Sequence, residues 1–250
     1  MIGKIKCKTN NIIAVEWDNI AHYRSEQLIK HKDISMDEVL IPYVLDMMLE
    51  SDTSDVIDIG CGTGYATSKF AARAKRIIGI DISDASIREA QRYNNITFKT
   101  SSVEDFAKEY PNKYSLGIAN MTLMDVVNLE EAIESSSILL KNDAYLIITI
   151  THPFFWPLYW DYAKEAWFNY SNEIEIEGFF DISLNKSAII TTHYHRPLEL
   201  YFNSLLKNNF KIISVTEPLP SGRIMKKYPS KWEYPRFLGI KVKKISSTSN

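Results

Sequence analysis

The chain has 250 residues, 45% of them apolar and 24% charged, enough for one domain with a sizeable core and too apolar for a disordered chain. Its 29 basic and 31 acidic residues leave a net charge of −2, which argues against nucleic acid as substrate. No apolar run reaches membrane-span length, no leader-like segment is visible at the start, and the two cysteines, Cys7 and Cys61, argue against a disulfide framework; a cytoplasmic protein without a membrane partner is expected.

Residues 1–37 precede the regular part of the pattern and read as an N-terminal cap, with the start of an amphipathic helix at Trp17–Arg24. A helix is predicted over 37–50, where Val39, Leu40, Tyr43, Val44, Met47 and Met48 are apolar. Strand 56–60, helix 64–74, strand 76–81, helix 84–93, strand 96–100, strand 114–120, helix 129–140 and strand 144–151 follow. Strands that alternate with helices predict an α/β fold around a parallel sheet. Residues 152–196 break the rhythm with a dense set of aromatics, and read as a loop-rich insertion. A helix over 197–208 and strands at 210–216 and 236–243 complete the chain, which is read as one domain over 1–250.

The chemistry is concentrated in Val56-Ile-Asp-Ile-Gly-Cys-Gly-Thr-Gly64 and in Arg76-Ile-Ile-Gly-Ile-Asp-Ile-Ser83. The first apolar run ends in glycines at every second position, Gly60, Gly62 and Gly64, and delivers a ligand to a helix N-terminus, where free N–H groups attract anionic groups. The second run ends in Asp81, placed to accept both hydroxyl hydrogens of a ribose. A dinucleotide site usually reads G-x-G-x-x-G, whereas this turn reads G-C-G-T-G after Asp58. An acid beside the turn suits a ligand that carries an ammonium group, and sits poorly with a pyrophosphate.

Asp58-Ile-Gly-Cys-Gly-Thr-Gly64 resembles motif I of the class I S-adenosylmethionine-dependent methyltransferases. Ile80-Asp81-Ile82-Ser83 resembles their second motif, Phe98–Phe106 the third and Ala119–Asp125 the fourth, so the likeness covers most of residues 38–151. The resemblance implies a Rossmann-like seven-stranded sheet, mostly parallel with the last strand antiparallel. It also implies S-adenosylmethionine as cofactor, S-adenosylhomocysteine as product, and no metal. In these terms Asp58, Gly60, Cys61, Gly62 and Gly64 hold the methionyl end, Asp81 the ribose and Ile82 the adenine face. Ser102 and Val103 meet the adenine edge, Asn120 and Met121 line the sulfur side, and Tyr23 closes the site. Two departures stand out. Ser102 occupies a position where the family often has Asp, and Lys141-Asn-Asp-Ala144 replaces a Pro-Gly-Gly turn, which Asn and Asp still make.

Ligands of open α/β sheets bind beyond the C-terminal strand ends, where the 152–196 insertion begins, so it is read as a lid over the methyl group. Thr151-His-Pro-Phe-Phe155 and Tyr194-His-Arg-Pro-Leu198 resemble segments that flank the lid in a bacterial subgroup of small-molecule methyltransferases. That likeness implies a small-molecule acceptor, with oxygen or nitrogen as the methylated atom, in a monomer or homodimer. A hydroxyl acceptor must lose its proton, and His152, His193 and His195 bracket the lid, with Tyr194 and Tyr23 as further candidates. The other readings are a non-catalytic protein that binds S-adenosylmethionine or S-adenosylhomocysteine, and an NAD-dependent oxidoreductase. The second would need a G-x-G-x-x-G turn and a hydride-site pair that the sequence lacks. Base methylation would want Asn-Pro-Pro-Tyr where the chain has Asn120-Met-Thr-Leu.

Overall fold

The computed structural model describes residues 2–5, 7–180 and 189–246. Strand β1 (Gly3–Lys4) leads to helix α1 (Asn10–Ile29), and a π-helical turn (Met36–Leu40) runs into α2 (Ile41–Met48). The βα ladder follows as β2 (Val56–Ile59), α3 (Tyr65–Phe70), β3 (Ile77–Asp81), α4 (Asp84–Ala90), β4 (Thr97–Thr100), α5 (Val103–Glu109), β5 (Tyr114–Asn120), α6 (Leu129–Leu139) and β6 (Leu140–Thr151). Side-chain oxygens cap three of these helices: Ser83 accepts from Ser86 N–H, Ser102 from Asp105 N–H and Asn128 from Glu131 N–H. Beyond the ladder lie α7 (Trp156–Tyr159), β7 (Ile174–Phe179), β8 (Ile190–His195), α8 (Leu198–Lys207), β9 (Phe210–Thr216), α9 (Gly222–Met225) and β10 (Phe237–Lys244).

Seven strands form the main sheet in the order β4-β3-β2-β5-β6-β10-β9. All pairings are parallel except those of β10, which runs antiparallel to both β6 and β9. The fold is therefore the Rossmann-like methyltransferase sheet that the motifs imply. The central strands β2 and β5 are buried on both faces, as continuous apolar runs predict, while the edge strands β4 and β9 are partly exposed. Along β6 the side chains alternate: Leu146, Ile148 and Ile150 pack with α5, α6 and α8, while Ile147 packs with α2 and α3. The expected Lys141–Ala144 turn is looped out of β6 opposite β5, with Asp143 at φ 64°.

The insertion is less loop-like than its composition suggests. Within it β7 and β8 pair antiparallel, and β1 joins β7 to make a second, three-stranded sheet. Helix α1 is also longer than the Trp17–Arg24 stretch, because apolar residues on both of its faces blur the period: Ile13 and Ile20 are buried while Ile12 and Val15 are exposed. No helix among the described residues is long and apolar enough to cross a membrane.

Candidate functional site

The chain winds outward from β2 through β3 to β4, then reverses to β5 and β6, which opens a crevice at the C-terminal ends of β2 and β5. A cavity of about 470 Å³ lies there, bounded by α1 on one side and by α7 and β8 on the other. The turn after β2 forms its floor. Gly60 and Cys61 N–H groups donate to the carbonyl of Ile80, at 2.8 and 2.9 Å, tying the turn to β3. Gly60 has φ 69°, and a Cβ built on it would stand 2.3 Å from Cγ2 of Thr122, so only glycine fits between the turn and the loop after β5. Gly62, at φ 53°, has nothing within 4 Å of such a Cβ and faces the open cavity.

Two carboxylates flank this turn, Asp58 buried and Asp81 half-buried. Oδ2 of Asp81 accepts Gly62 N–H and Oδ1 accepts Ser83 N–H, both at 2.8 Å. Burial raises the Asp81 carboxyl above the usual range, against the opposing pull of those two donors. Each oxygen keeps a further lone pair toward the cavity. Asp58 is 2% exposed; Oδ2 accepts from the Thr67 hydroxyl at 2.6 Å, while Oδ1 meets no donor among the described residues. Burial, with the charge of Asp81 adding to it, pushes the Asp58 carboxyl up to about 7. At the end of β5, Oδ1 of Asn120 accepts from the Thr149 hydroxyl at 2.7 Å, and Met121 at φ 57° turns the chain across the mouth of the crevice. Ile82 and Val103 complete this half.

The opposite half is aromatic and carries one imidazole. His193 on β8 lines the cavity beside Trp160, with ring centroids 5.4 Å apart. Its Nδ1 is 3.3 Å from Oδ1 of Asp125, and its Nε2 is 3.5 Å from Oγ1 of Thr151. Burial raises the Asp125 carboxyl, with His193 opposing. The loop that carries Asp125 is clamped by Arg196, whose Nη1 donates to the Leu123 carbonyl at 2.9 Å and Nη2 to those of Val126 and Val127, at 2.7 and 3.0 Å. Tyr194 N–H donates to the Met124 carbonyl at 2.8 Å, tying β8 to the same loop.

A family described as "Methyltransferase domain" matches residues 50–168. A Listeria monocytogenes chain assigned to the S-adenosylmethionine-dependent methyltransferases superposes with a TM-score of 0.64 at 25% identity, covering 82% of this chain and 98% of that one. Over residues 50–168 the chain is similar to the class I S-adenosylmethionine-dependent methyltransferases. The mitochondrial ubiquinone biosynthesis O-methyltransferase of Bos taurus is 26% identical over 133 residues, 46% of this chain and 36% of the bovine protein. The malonyl-[acyl-carrier protein] O-methyltransferase of Acetivibrio thermocellus is 35% identical over 127 residues, 48% of this chain and 44% of that protein. The chain thus spans less than half the length of these two relatives.

Of the residues that the motifs single out, the cavity gathers Asp58, Gly60, Cys61, Gly62, Asp81, Ile82, Val103, Asn120 and Met121. Six other candidates lie elsewhere. Gly64 sits one step behind the turn, at the start of α3 against Phe98. The Ser102 hydroxyl is spent on capping α5, and its neighbours Ser101 and Glu104 reach the cavity instead. Tyr23 is off the cavity face of α1, which carries Ile13, Trp17, Ala21, Arg24 and Leu28 at helical spacing.

The three candidate bases are likewise displaced. His152 turns away from the cavity: its Nε2 is 3.0 Å from Glu217, its Nδ1 accepts the Phe154 N–H, and burial lowers its pKa. His195 is packed against Phe168 and Tyr170, with Nε2 3.0 Å from the Tyr170 carbonyl; burial lowers its pKa too. Tyr194 points to the opposite face of β8, donates to Glu175 at 2.9 Å, and has its pKa raised by burial and by that carboxylate. His193 is the member of the histidine set that reaches the cavity, and Asp125, Trp17 and Arg24 are lining residues to which the motifs assigned no role.

Proposed function

We propose that the chain transfers a methyl group from S-adenosylmethionine to an oxygen or nitrogen of a small molecule. The observation that carries this reading is the continuity of the cavity: the glycine turn with its two acids and the His193–Asp125 pair line the same 470 Å³ space. The residues fit the cofactor. Asp58 Oδ1, buried without a donor, matches an ammonium group, the Gly60–Gly62 turn leaves room for close backbone approach, and Asp81 keeps lone pairs for ribose hydroxyls. When bound, the cofactor supplies a methyl group already activated on a sulfonium.

The chain's own residues then have three tasks. Asp58, Asp81 and the glycine turn fix the donor in the crevice, and orientation of this kind supplies roughly 7–11 kcal/mol at best. Residues 1–37 act as a cap and 152–196 as a lid, with Trp17, Trp156 and Trp160 excluding water. An ionised Asp125 holds the proton of His193 on Nδ1, so that Nε2 accepts the acceptor's proton, a contribution of about 10²–10⁴-fold. The O-methyltransferase names of the bovine and Acetivibrio relatives support an oxygen acceptor. A non-catalytic binding protein would have no use for an imidazole–carboxylate pair in the acceptor half. The near-balanced charge and the two free cysteines support a cytoplasmic monomer or homodimer that engages neither nucleic acid nor membrane.

Calorimetric titration of the purified protein with S-adenosylmethionine, S-adenosylhomocysteine and NAD tests the first half of this reading. Incubation with phenols, catechols and amines, with methylated product read by mass spectrometry, tests the second. Binding of the first two ligands and product from at least one acceptor is expected. Binding of NAD alone, or of none of the three, overturns the assignment.

A further inference from the structure

The residue just before β10 has no role in the account above. Arg236 lines the acceptor half of the cavity, enclosed by rings: its guanidinium carbon is 4.6 Å from the centroid of Tyr159, 4.8 Å from Trp232 and 5.6 Å from Tyr228. Its backbone is fixed, since the Arg236 carbonyl accepts His152 N–H at 2.8 Å and Phe237 pairs with Thr151. Among the described residues no carboxylate lies within ion-pair distance of it. Of the nearby acids, Asp33 is engaged by Arg24 at 2.7 Å, Glu38 by Lys227 and Glu217 by His152 at 3.0 Å, while Glu233 is exposed. Nε of Arg236 is buried and meets no acceptor, and the same holds for Nε1 of Trp156, another cavity-lining residue.

Arg236 is half-buried and the rings favour its charge, but they offer no acceptor, and each buried N–H without one is costly. An oxyanion answers both N–H groups. The cofactor's own carboxylate is poorly placed to do so. The methionyl end belongs at the turn after β2, and β10 lies three strand spacings away across β5 and β6, roughly 14 Å. One cation and one neutral indole N–H lining the same cavity match a monoanion with two oxygens better than a phosphate dianion.

Resting on the methyltransferase reading, we propose that the methyl acceptor is a carboxylate-bearing small molecule whose anionic group is held by Arg236 and Trp156. The aromatic walls around Arg236 then cover the carbon skeleton that joins this carboxylate to the atom facing His193.

The test uses the full chain, with and without saturating S-adenosylhomocysteine, and ligand-observed NMR with four probes: benzoate and hexanoate against benzamide and hexanamide. The carboxylates are expected to bind at least about ten-fold more tightly than their amides. Arg236→Gln erases that preference, Arg236→Lys keeps part of it, and Trp156→Phe narrows it while preserving the ring. The circular dichroism spectrum stays unchanged in all three and reports that the variants are folded, and S-adenosylhomocysteine affinity stays unchanged in the two Arg236 variants. Equal binding of acids and amides, no binding of either acid, tighter binding of phenyl phosphate than of benzoate, or a preference that survives Arg236→Gln overturns the proposal. Loss of S-adenosylhomocysteine binding in the unaltered protein would instead bring down the methyltransferase reading, and the carboxylate preference is read separately from it.

Discussion

Oδ1 of Asp125 lies 3.3 Å from Nδ1 of His193, although 68 residues separate the two in the chain. The pair links the loop after β5, which ends the cofactor half, to the strand that walls the acceptor half. Its consequence is specific to turnover. His193→Asn is expected to lower methyl transfer by about 10²–10⁴-fold and to leave S-adenosylhomocysteine affinity within error, because the imidazole faces the acceptor. Asp125→Asn lowers the rate less, since it removes the group that sets the tautomer and leaves the base in place. Single-turnover rates beside calorimetric affinities check this; equal losses in both would mean that the pair is structural.

Arg196 holds that geometry from behind. The guanidinium is 1% exposed and serves three main-chain carbonyls of the loop that carries Asp125, as well as Glu173. Removing one partner of such a buried set leaves the other groups unpaired, at a cost of about 3–5 kcal/mol. Arg196→Met keeps much of the volume and none of the donors, so urea denaturation should report a loss of that size. Arg196→Lys restores a charge but not the fork, and should recover only part of it. A loss below about 1 kcal/mol, the range of an exposed pair, would show that the clamp is not formed in solution.

Much of this architecture is legible in the sequence because β2, β5 and β6 are buried on both faces. Such strands read as unbroken apolar runs, and β5 and β9 fall on their expected boundaries, 114–120 and 210–216. The second sheet is harder to see. Ile174-Glu-Ile-Glu alternates, but Glu175 is buried against Tyr194 instead of facing solvent, and the aromatics upstream obscure the period. Which site residues meet the cavity is hidden for a similar reason. His193 and His195 share one face of β8, and which of them meets the cavity depends on where the strand crosses the Met124 loop. Ser101 and Ser102 are chemically alike, and the choice between them is made by which one caps α5. Arg236 carries no local signal; its surroundings come from α7, from the 228–232 stretch and from the end of β6.

Gly60 and Gly62 separate two costs of a glycine turn. Both have left-handed backbone, at φ 69° and 53°, so alanine at either pays the conformational penalty of roughly 1–2 kcal/mol. Only at Gly60 does the added Cβ also strike Thr122, at 2.3 Å. Overpacking of that kind costs typically a further 1–3 kcal/mol, roughly, so Gly60→Ala should be the more destabilised in urea. Gly62→Ala should keep most of its stability and lose cofactor affinity, because its methyl group projects into the cavity. Equal stability losses would mean that Thr122 moves aside.

Asp58 predicts a pH dependence whose sign can be worked out. Its carboxyl titrates near 7 in the folded protein, against a reference value of 3.8. Between those values the folded state keeps a proton that the unfolded state has released, so this group makes stability fall as pH rises from about 4 to about 7, with no further change above. Asp58→Asn is a neutral isostere that can still accept from Thr67, and it removes that dependence. The melting temperature of Asp58→Asn relative to the unaltered protein should therefore rise from pH 5 to pH 8, and a constant difference would contradict the burial argument. Cofactor binding should run the other way. An ammonium pairs with the ionised form of Oδ1, so S-adenosylhomocysteine affinity should strengthen as pH passes through about 7, and Asp58→Asn should flatten that rise.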